Sequence, residues 1–214
     1  MDHVQEILED LEVVEDFVGE AEAAQIFDTI QSSKSKWEVL IDRETQQYGG
    51  VLTKSGMLLK TAFPSWLARI AQKISSETDI FRDSSPNHVL VNRYQVHGAI
   101  SPHSDGPCYE PRVAILSLGS PAVMTFRKQT GSKPFASVLL RPRSLLLFKD
   151  RAYQEALHAI EGPDITAEAI HRILINRPIA TNDDTNNSLT RTGIRISLTF
   201  RKVVKEYACT IKTS

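Results

Sequence analysis

The chain has 214 residues, of which 41% are hydrophobic and 24% charged, with two cysteines. This is the make-up of one ordinary globular domain, long enough to bury a core without disulfide staples. No apolar run approaches the length of a membrane span, and the opening Met1-Asp2-His3-Val4-Gln5-Glu6 lacks the basic and apolar regions of a secretory signal. Cytoplasm or nucleus is therefore the expected location, with Cys108 and Cys209 as free thiols. The net charge of -1 hides an uneven spread: residues 1–28 hold ten acidic side chains and no Lys or Arg, leaving a net +9 on the remainder. Such a body permits contact with phosphates without requiring it.

Leu11 to Val18 reads as a short strand. Beyond Gly19, Ala23, Ile26, Phe27 and Ile30 recur at helical spacing and predict a helix to about Ser32. Trp37 to Leu40 reads as another strand. Arg43, Gln47 and Tyr48 follow, ahead of Gly49-Gly50; these residue types can pair with phosphate or stack on a base, yet Tyr48 could equally be a core aromatic. Pro64 sits at a plausible first helical position, followed by the apolar stripe Trp66, Leu67, Ile70, Ala71 and Ile74.

From there the pattern changes to apolar runs of strand length. They are His88–Val96, Val113–Leu118, Ala122–Phe126, Ser137–Leu140, Leu145–Phe148, Leu157–Ile160, Ile173–Ile175 and Ile194–Val203. Two early helices followed by many short strands predict a sheet sandwich or barrel backed by helices. The polar run Thr181 to Ser188 reads as a surface loop, about 181–190. No repeat or second domain is legible, so 1–214 is expected to be one domain.

The chemistry concentrates in a few residues. His103 and Asp105 project to the same side of an extended segment just after the run carrying Asn92 and Tyr94, and His158 lies far downstream. Two His and one Asp are the ligand set of the facial triad that holds ferrous iron. In the last strand, Arg195, Ser197, Thr199 and Arg201 share one face and Ile194, Ile196, Leu198 and Phe200 the other. A solvent-facing polar stripe is the common cause of such alternation. If instead this face and that of Asn92 and Tyr94 point into a barrel mouth, they line a cation-rich pocket suited to a small dicarboxylate. A zinc-protease helix, a thiolate cluster, a phosphate-binding glycine loop and a nucleophile elbow are all absent from the sequence.

Asn92-x-Tyr94, His103-x-Asp105, His158, and Arg195 followed by Leu198-Thr199-Phe200-Arg201 together resemble the AlkB family of iron(II)- and 2-oxoglutarate-dependent dioxygenases. The likeness extends over about residues 10–205. Pro102 to Pro107, Ser117 to Ser120, Arg141 to Leu146 and Arg43 to Gly50 look like one mammalian branch of the family.

The resemblance implies a mainly β (α+β) fold, a double-stranded β-helix or jelly-roll core backed by two N-terminal helices. It implies Fe(II) on the catalytic residues His103, Asp105 and His158, and 2-oxoglutarate and O2 as co-substrates. Arg195 would meet the distal carboxylate of 2-oxoglutarate with Tyr94 beside it, and Asn92 would lie near the keto-acid end. Arg201 would sit close to Asp105, while Ser197 stands where the bacterial prototype carries a longer Asn. The implied reaction yields succinate and carbon dioxide and hydroxylates an alkyl carbon; an N-methyl product then collapses to formaldehyde. Residues of about 37–60 correspond to a substrate-covering lid, with Arg43, Gln47 and Tyr48 as candidate substrate contacts.

No long hairpin or aromatic finger that would open a duplex is legible, so alkylated single-stranded DNA or RNA is the expected partner. The rival readings are the same chemistry on a protein or small molecule, a weakly active binding module that keeps the fold, and a metal-dependent hydrolase.

Overall fold

The computed structural model describes residues 3–33, 37–162 and 191–208. The expected strand Ile173–Ile175, the loop at 181–190 and Cys209 lie outside the described residues. In chain order the elements are α1 (His3–Leu8), β1 (Leu11–Val14), α2 (Glu20–Gln31), β2 (Glu38–Val39), β3 (Glu44–Tyr48), β4 (Gly50–Leu52), β5 (Met57–Lys60) and α3 (Ser65–Glu77). They continue with β6 (His88–Tyr94), β7 (Ile100–His103), β8 (Tyr109–Gly119), β9 (Ala122–Arg127) and β10 (Ala136–Leu140). The last are β11 (Leu145–Lys149), α4 (Asp150–Gln154), β12 (Leu157–Ile160), β13 (Arg195–Val203) and β14 (Lys205–Ala208).

A seven-stranded sheet in the order β1-β11-β8-β13-β6-β3-β2 and a four-stranded sheet in the order β10-β9-β12-β7 form the body of the fold. A small third sheet runs β14-β5-β4. Helices α2 and α3 supply a further layer. Ile26, Ile30, Leu67, Ile70 and Ile74 pack against Val89, Val91, Leu116, Ile196, Leu198 and Phe200 of the larger sheet. A second core holds Tyr94, Val113, Ile115, Met124, Phe126, Leu146, Phe148 and Ile160, drawn from both large sheets.

This layering explains the alternation in β13. Its apolar face is covered by helices, so the opposite face looks inward, and Arg195, Ser197, Thr199 and Arg201 are all buried. A solvent-facing stripe is ruled out.

Several expectations shift in detail. Pro64 is the N-cap of α3 rather than its first helical residue, and its carbonyl accepts from the backbone of Leu67 and Ala68. The strand expected over Trp37–Leu40 contracts to β2. The acidic opening contains α1, which buries Ile7; six residues are too few for a helical period to show. The segment that carries His103 contains β7, an edge strand, where Pro102 costs no ladder bond on the outer side. Between β3 and β4, Gly49 takes φ +95, and a Cβ there would lie 2.0 Å from the Asn87 carbonyl oxygen, so only glycine fits this turn.

Candidate active site

The antiparallel pairing of β7 with β12 sets His103 directly opposite His158, with ring centroids 4.4 Å apart. Asp105 follows two residues beyond His103. One ligand-type atom from each of His103, Asp105 and His158 lies within 4.8 Å of the other two. The His103 Nδ1–H is placed to donate to the Ser101 carbonyl at 2.9 Å, which leaves Nε2 as the lone-pair nitrogen. Burial pulls the His158 pKa down to about 4, against the opposing pull of Asp105, so its imidazole is neutral at pH 7.

Arg201 Nη1 donates to Asp105 Oδ1 at 2.7 Å, and both side chains are nearly inaccessible. Burial tends to raise the Asp105 pKa, but the Arg201 guanidinium and the two histidines outweigh it and hold the group below the usual carboxylate range. The second oxygen, Oδ2, is buried with no hydrogen-bond partner among the described residues. A buried carboxylate oxygen without a donor is costly unless a cation meets it. Two imidazole nitrogens and one orphaned carboxylate oxygen fit a divalent iron.

At the other end of β13, Arg195 is paired in register with Tyr94 of β6 and is wholly buried. Its Nη2 donates to Ser117 Oγ at 3.1 Å and its guanidinium lies 5.2 Å from the centre of the Tyr94 ring. Nε and Nη1 have no partner among the described residues. Burial lowers the Arg195 pKa to about 10, so it stays a cation at neutral pH. Burial also raises the pKa of Tyr94, which remains a neutral phenol. Two unpaired N–H groups in a fixed fork fit a carboxylate. The residues therefore suit an iron at one end of the cavity and a dicarboxylate reaching to the other.

A cavity of about 210 Å³ joins the two ends. It brings together Arg43, Asn92, Tyr94, His103, Asp105, His158, Arg195, Ser197 and Arg201, all singled out from the sequence. Arg43 Nε donates to Asn92 Oδ1 at 3.1 Å, which puts Arg43 against the inner wall. The remaining two candidates lie elsewhere. Gln47 is exposed, with Oε1 3.3 Å from His88 Nε2. Tyr48 turns into the scaffold: it meets Trp66 edge-on at 5.8 Å and donates its hydroxyl to Gln46. The core-aromatic alternative is the one its packing fits.

Sequence reasoning gave no site role to Ser117, which the register of β8 sets opposite Ser197, or to the apolar walls Leu90, Ile100, Ile115, Met124 and Ile160. It also missed Arg191, which is buried and donates to the Gly98 and Glu161 carbonyls with its guanidinium 5.9 Å from the Tyr94 ring. Arg191 precedes β13, so no strand period could have pointed to it.

Outside the cavity, two clefts of about 380 and 630 Å³ share Val39, Leu40, Ile41, Asp42 and Arg43, and the larger continues along Ile100 to His103. Val39 is 74% exposed and Ile41 fully so, forming an apolar tip at this mouth.

Residues 42–201 match the family model of the 2OG-Fe(II) oxygenase superfamily, a span that includes every residue of the cavity. The chain is 34% identical over 206 residues to a Danio rerio protein named "Probable RNA/DNA demethylase ALKBH6", covering 90% of this chain and 85% of that one. Its fold is similar to that of OsALKBH1, with a TM-score of 0.60 at 16% identity over 90% of this chain and 98% of that one. It also resembles the viral collagen prolyl hydroxylase of Paramecium bursaria Chlorella virus-1, solved with 2-oxoglutarate, at TM-score 0.54 and 13% identity over 91% and 96% of the two chains. The jelly-roll fold and the use of Fe(II), 2-oxoglutarate and O2 follow. The chain belongs to the 2OG-Fe(II) oxygenase superfamily and, within it, to the AlkB family of dioxygenases.

Proposed function

We propose that this dioxygenase oxidises alkyl groups on single-stranded DNA or RNA, removing N-methyl groups as formaldehyde, in the cytoplasm or nucleus. The dioxygenase chemistry rests on one observation above the rest: an orphaned carboxylate oxygen of Asp105 stands close to two imidazoles, in one cavity with a buried Arg195 whose Nε and Nη1 have no partner among the described residues. The nucleic-acid substrate is supported by the name of the Danio rerio relative and by the mouth of the cavity.

In this reading His103, Asp105 and His158 would hold the iron. Bound together, iron(II), 2-oxoglutarate and O2 supply oxidative decarboxylation to succinate coupled to hydroxylation of an alkyl carbon. Arg201 fixes Asp105 through Oδ1 and so aims Oδ2. Arg195 receives the outer carboxylate of 2-oxoglutarate in its forked N–H groups, with Tyr94 and Ser117 keeping the guanidinium in place. Asn92 and Ser197 border the same pocket, and Arg43 ties Asn92 to the segment in front of it. Leu90, Ile100, Ile115, Met124 and Ile160 keep bulk water from the reacting groups.

Within the segment of about 37–60, the front part from Val39 to Arg43 lies over this site as its lid. The apolar tip Val39 to Ile41 offers a hydrophobic edge to an unstacked base, and Arg43 lies just inside it.

The test is succinate release over matched panels of methylated single-stranded DNA, RNA and peptides, beside binding to single-stranded and duplex oligonucleotides across salt. Stimulation by a methylated single strand, with formaldehyde produced in equal amount, is expected. Stimulation by peptides alone, or tighter binding to duplex, would overturn the proposal.

A further inference from the structure

We infer that the small sheet of β4, β5 and β14 is a docking platform for the flanking nucleotides of a single-stranded nucleic acid, separate from the cavity. The inference rests on the nucleic-acid reading above and adds a surface to it. Register sets Val51, Leu59 and Tyr207 in one row across all three strands, with Met57 and Lys205 side by side in the next. These side chains share the outer face. Val51 and Tyr207 are each 64% exposed, and Leu59 and Met57 are exposed as well. The opposite face is already used, since Leu58 is buried against Tyr109 and Val203. A row of apolar side chains ending in an exposed aromatic marks a contact surface.

Charge indicates what covers it. Residues 49–62 and 202–208 contain Lys54, Lys60, Lys202 and Lys205 against a single carboxylate, Glu206. Glu206 lies beside Leu58 in register, on the face away from Tyr207, where it accepts from Asn87 at 2.6 Å and pairs with Lys60 and Lys202. Lys54 and Lys205 have no carboxylate partner among the described residues. Cations flanking an aromatic on an open sheet suit a single strand, with phosphates meeting lysines and a base stacking on Tyr207. A second copy of the chain would bring lysines against lysines, which disfavours self-association.

The platform is joined to the loop that carries Asp105. The Val204 amide donates to the Cys108 carbonyl at 3.0 Å, and the Cβ of Cys108 lies 3.0 Å from where a Cβ on Gly56 would stand. A strand resting on Tyr207 is thus held beside the segment that leads into the cavity.

The experiment is fluorescence anisotropy with an unmodified single-stranded oligonucleotide of about 12 nucleotides, matched to the usual site size. The full-length wild type is compared with Lys54→Gln/Lys205→Gln and with Tyr207→Ala, whose folding is checked by circular dichroism. The lysine pair should flatten the log-affinity against log-salt slope by about 1.4. Tyr207→Ala should weaken binding roughly 5- to 150-fold at constant slope. Both variants should raise the KM of a methylated oligonucleotide but not that of a methylated mononucleoside.

Wild-type affinity in both variants would overturn the platform, while demethylation of oligonucleotides by the wild type would keep the functional reading intact. Failure of the wild type to bind would overturn the platform too, and mononucleoside turnover would then decide the functional reading on its own. A concentration-dependent dimer that Tyr207→Ala converts to monomer would reassign the face to self-association.

Discussion

At the triad end of the cavity, Asp105 is bonded to Arg201 and flanked by two imidazoles; at the far end, Arg195 and Arg191 both lie near the Tyr94 ring without a carboxylate partner among the described residues. The first end balances an anion against a cation inside the protein. The second leaves two buried guanidinium groups whose like charges oppose each other, and their proximity lowers the Arg195 pKa further. One end is therefore organised before any ligand arrives, whereas the other, with no carboxylate partner among the described residues, gains a counter-charge from an incoming anion. Removing a charge should accordingly have opposite consequences at the two ends.

The largest effect is expected from Asp105→Ala. It strips the buried Arg201 of its partner, which costs about 3–5 kcal/mol of stability, and it should abolish iron-dependent turnover. Thermal melting and succinate release read both; a melt equal to that of the wild type would break the comparison.

Next comes Arg195→Met, which should raise the KM for 2-oxoglutarate roughly 10- to 150-fold through loss of a charged hydrogen-bond pair worth about 1.5–3 kcal/mol. Without ligand the variant should melt no lower than the wild type, because an unpaired buried charge has gone. An unchanged KM, or a melt as low as that of Asp105→Ala, would remove the distinction between the ends.

A pH effect, spread over several pH units and small at neutral pH, belongs to His88, which lies beside Arg201 in register and is buried with Nδ1 unpartnered among the described residues. Burial first, and then Arg201, lower its pKa to about 3, with Asp105 opposing. Between pH 3 and 6.5 the unfolded chain binds this proton and the folded chain does not. Stability should therefore rise with pH across that window, by about 1.4 kcal/mol per unit for the single group, and level off above 6.5. His88→Gln should remove one proton's worth of slope in denaturant titrations; an unaltered slope would contradict the assignment.

The smallest effect is expected from Tyr48→Phe. Losing the hydroxyl bond to Gln46 should cost about 1 kcal/mol and leave the KM for nucleic acid as it was. A large rise in KM would restore Tyr48 to the substrate side.

Legibility in the sequence followed the reach of the signal. The run Ile194 to Val203 displayed its period of two, and the meaning of its polar face depended only on what lay behind it, which the helices α2 and α3 settle. His103 and Asp105 were legible as a pair because two residues of extended chain carry both to one side. Their meeting with His158 is a matter of strand pairing across more than fifty residues; the ligand set suggested it, and the family resemblance supplied the order. Elements of six residues or fewer, such as α1 and α4, hold too little of a helical period to show. Arg191 and the exposed row on the small sheet arise from tertiary placement alone, so nothing local announced them. Tyr48 illustrates the reverse case: an aromatic between Gln and Gly reads alike for packing and for stacking until a neighbour such as Trp66 is known.

Catalysis at this site depends most on His103, Asp105 and His158 sharing a single ion. Equilibrium dialysis of ferrous iron under anaerobic conditions tests this directly, with folding of each variant followed by circular dichroism. The wild type should bind one equivalent of iron tightly, and His103→Ala, Asp105→Ala and His158→Ala should each lose it. Full retention of tightly bound iron by folded His158→Ala would contradict it.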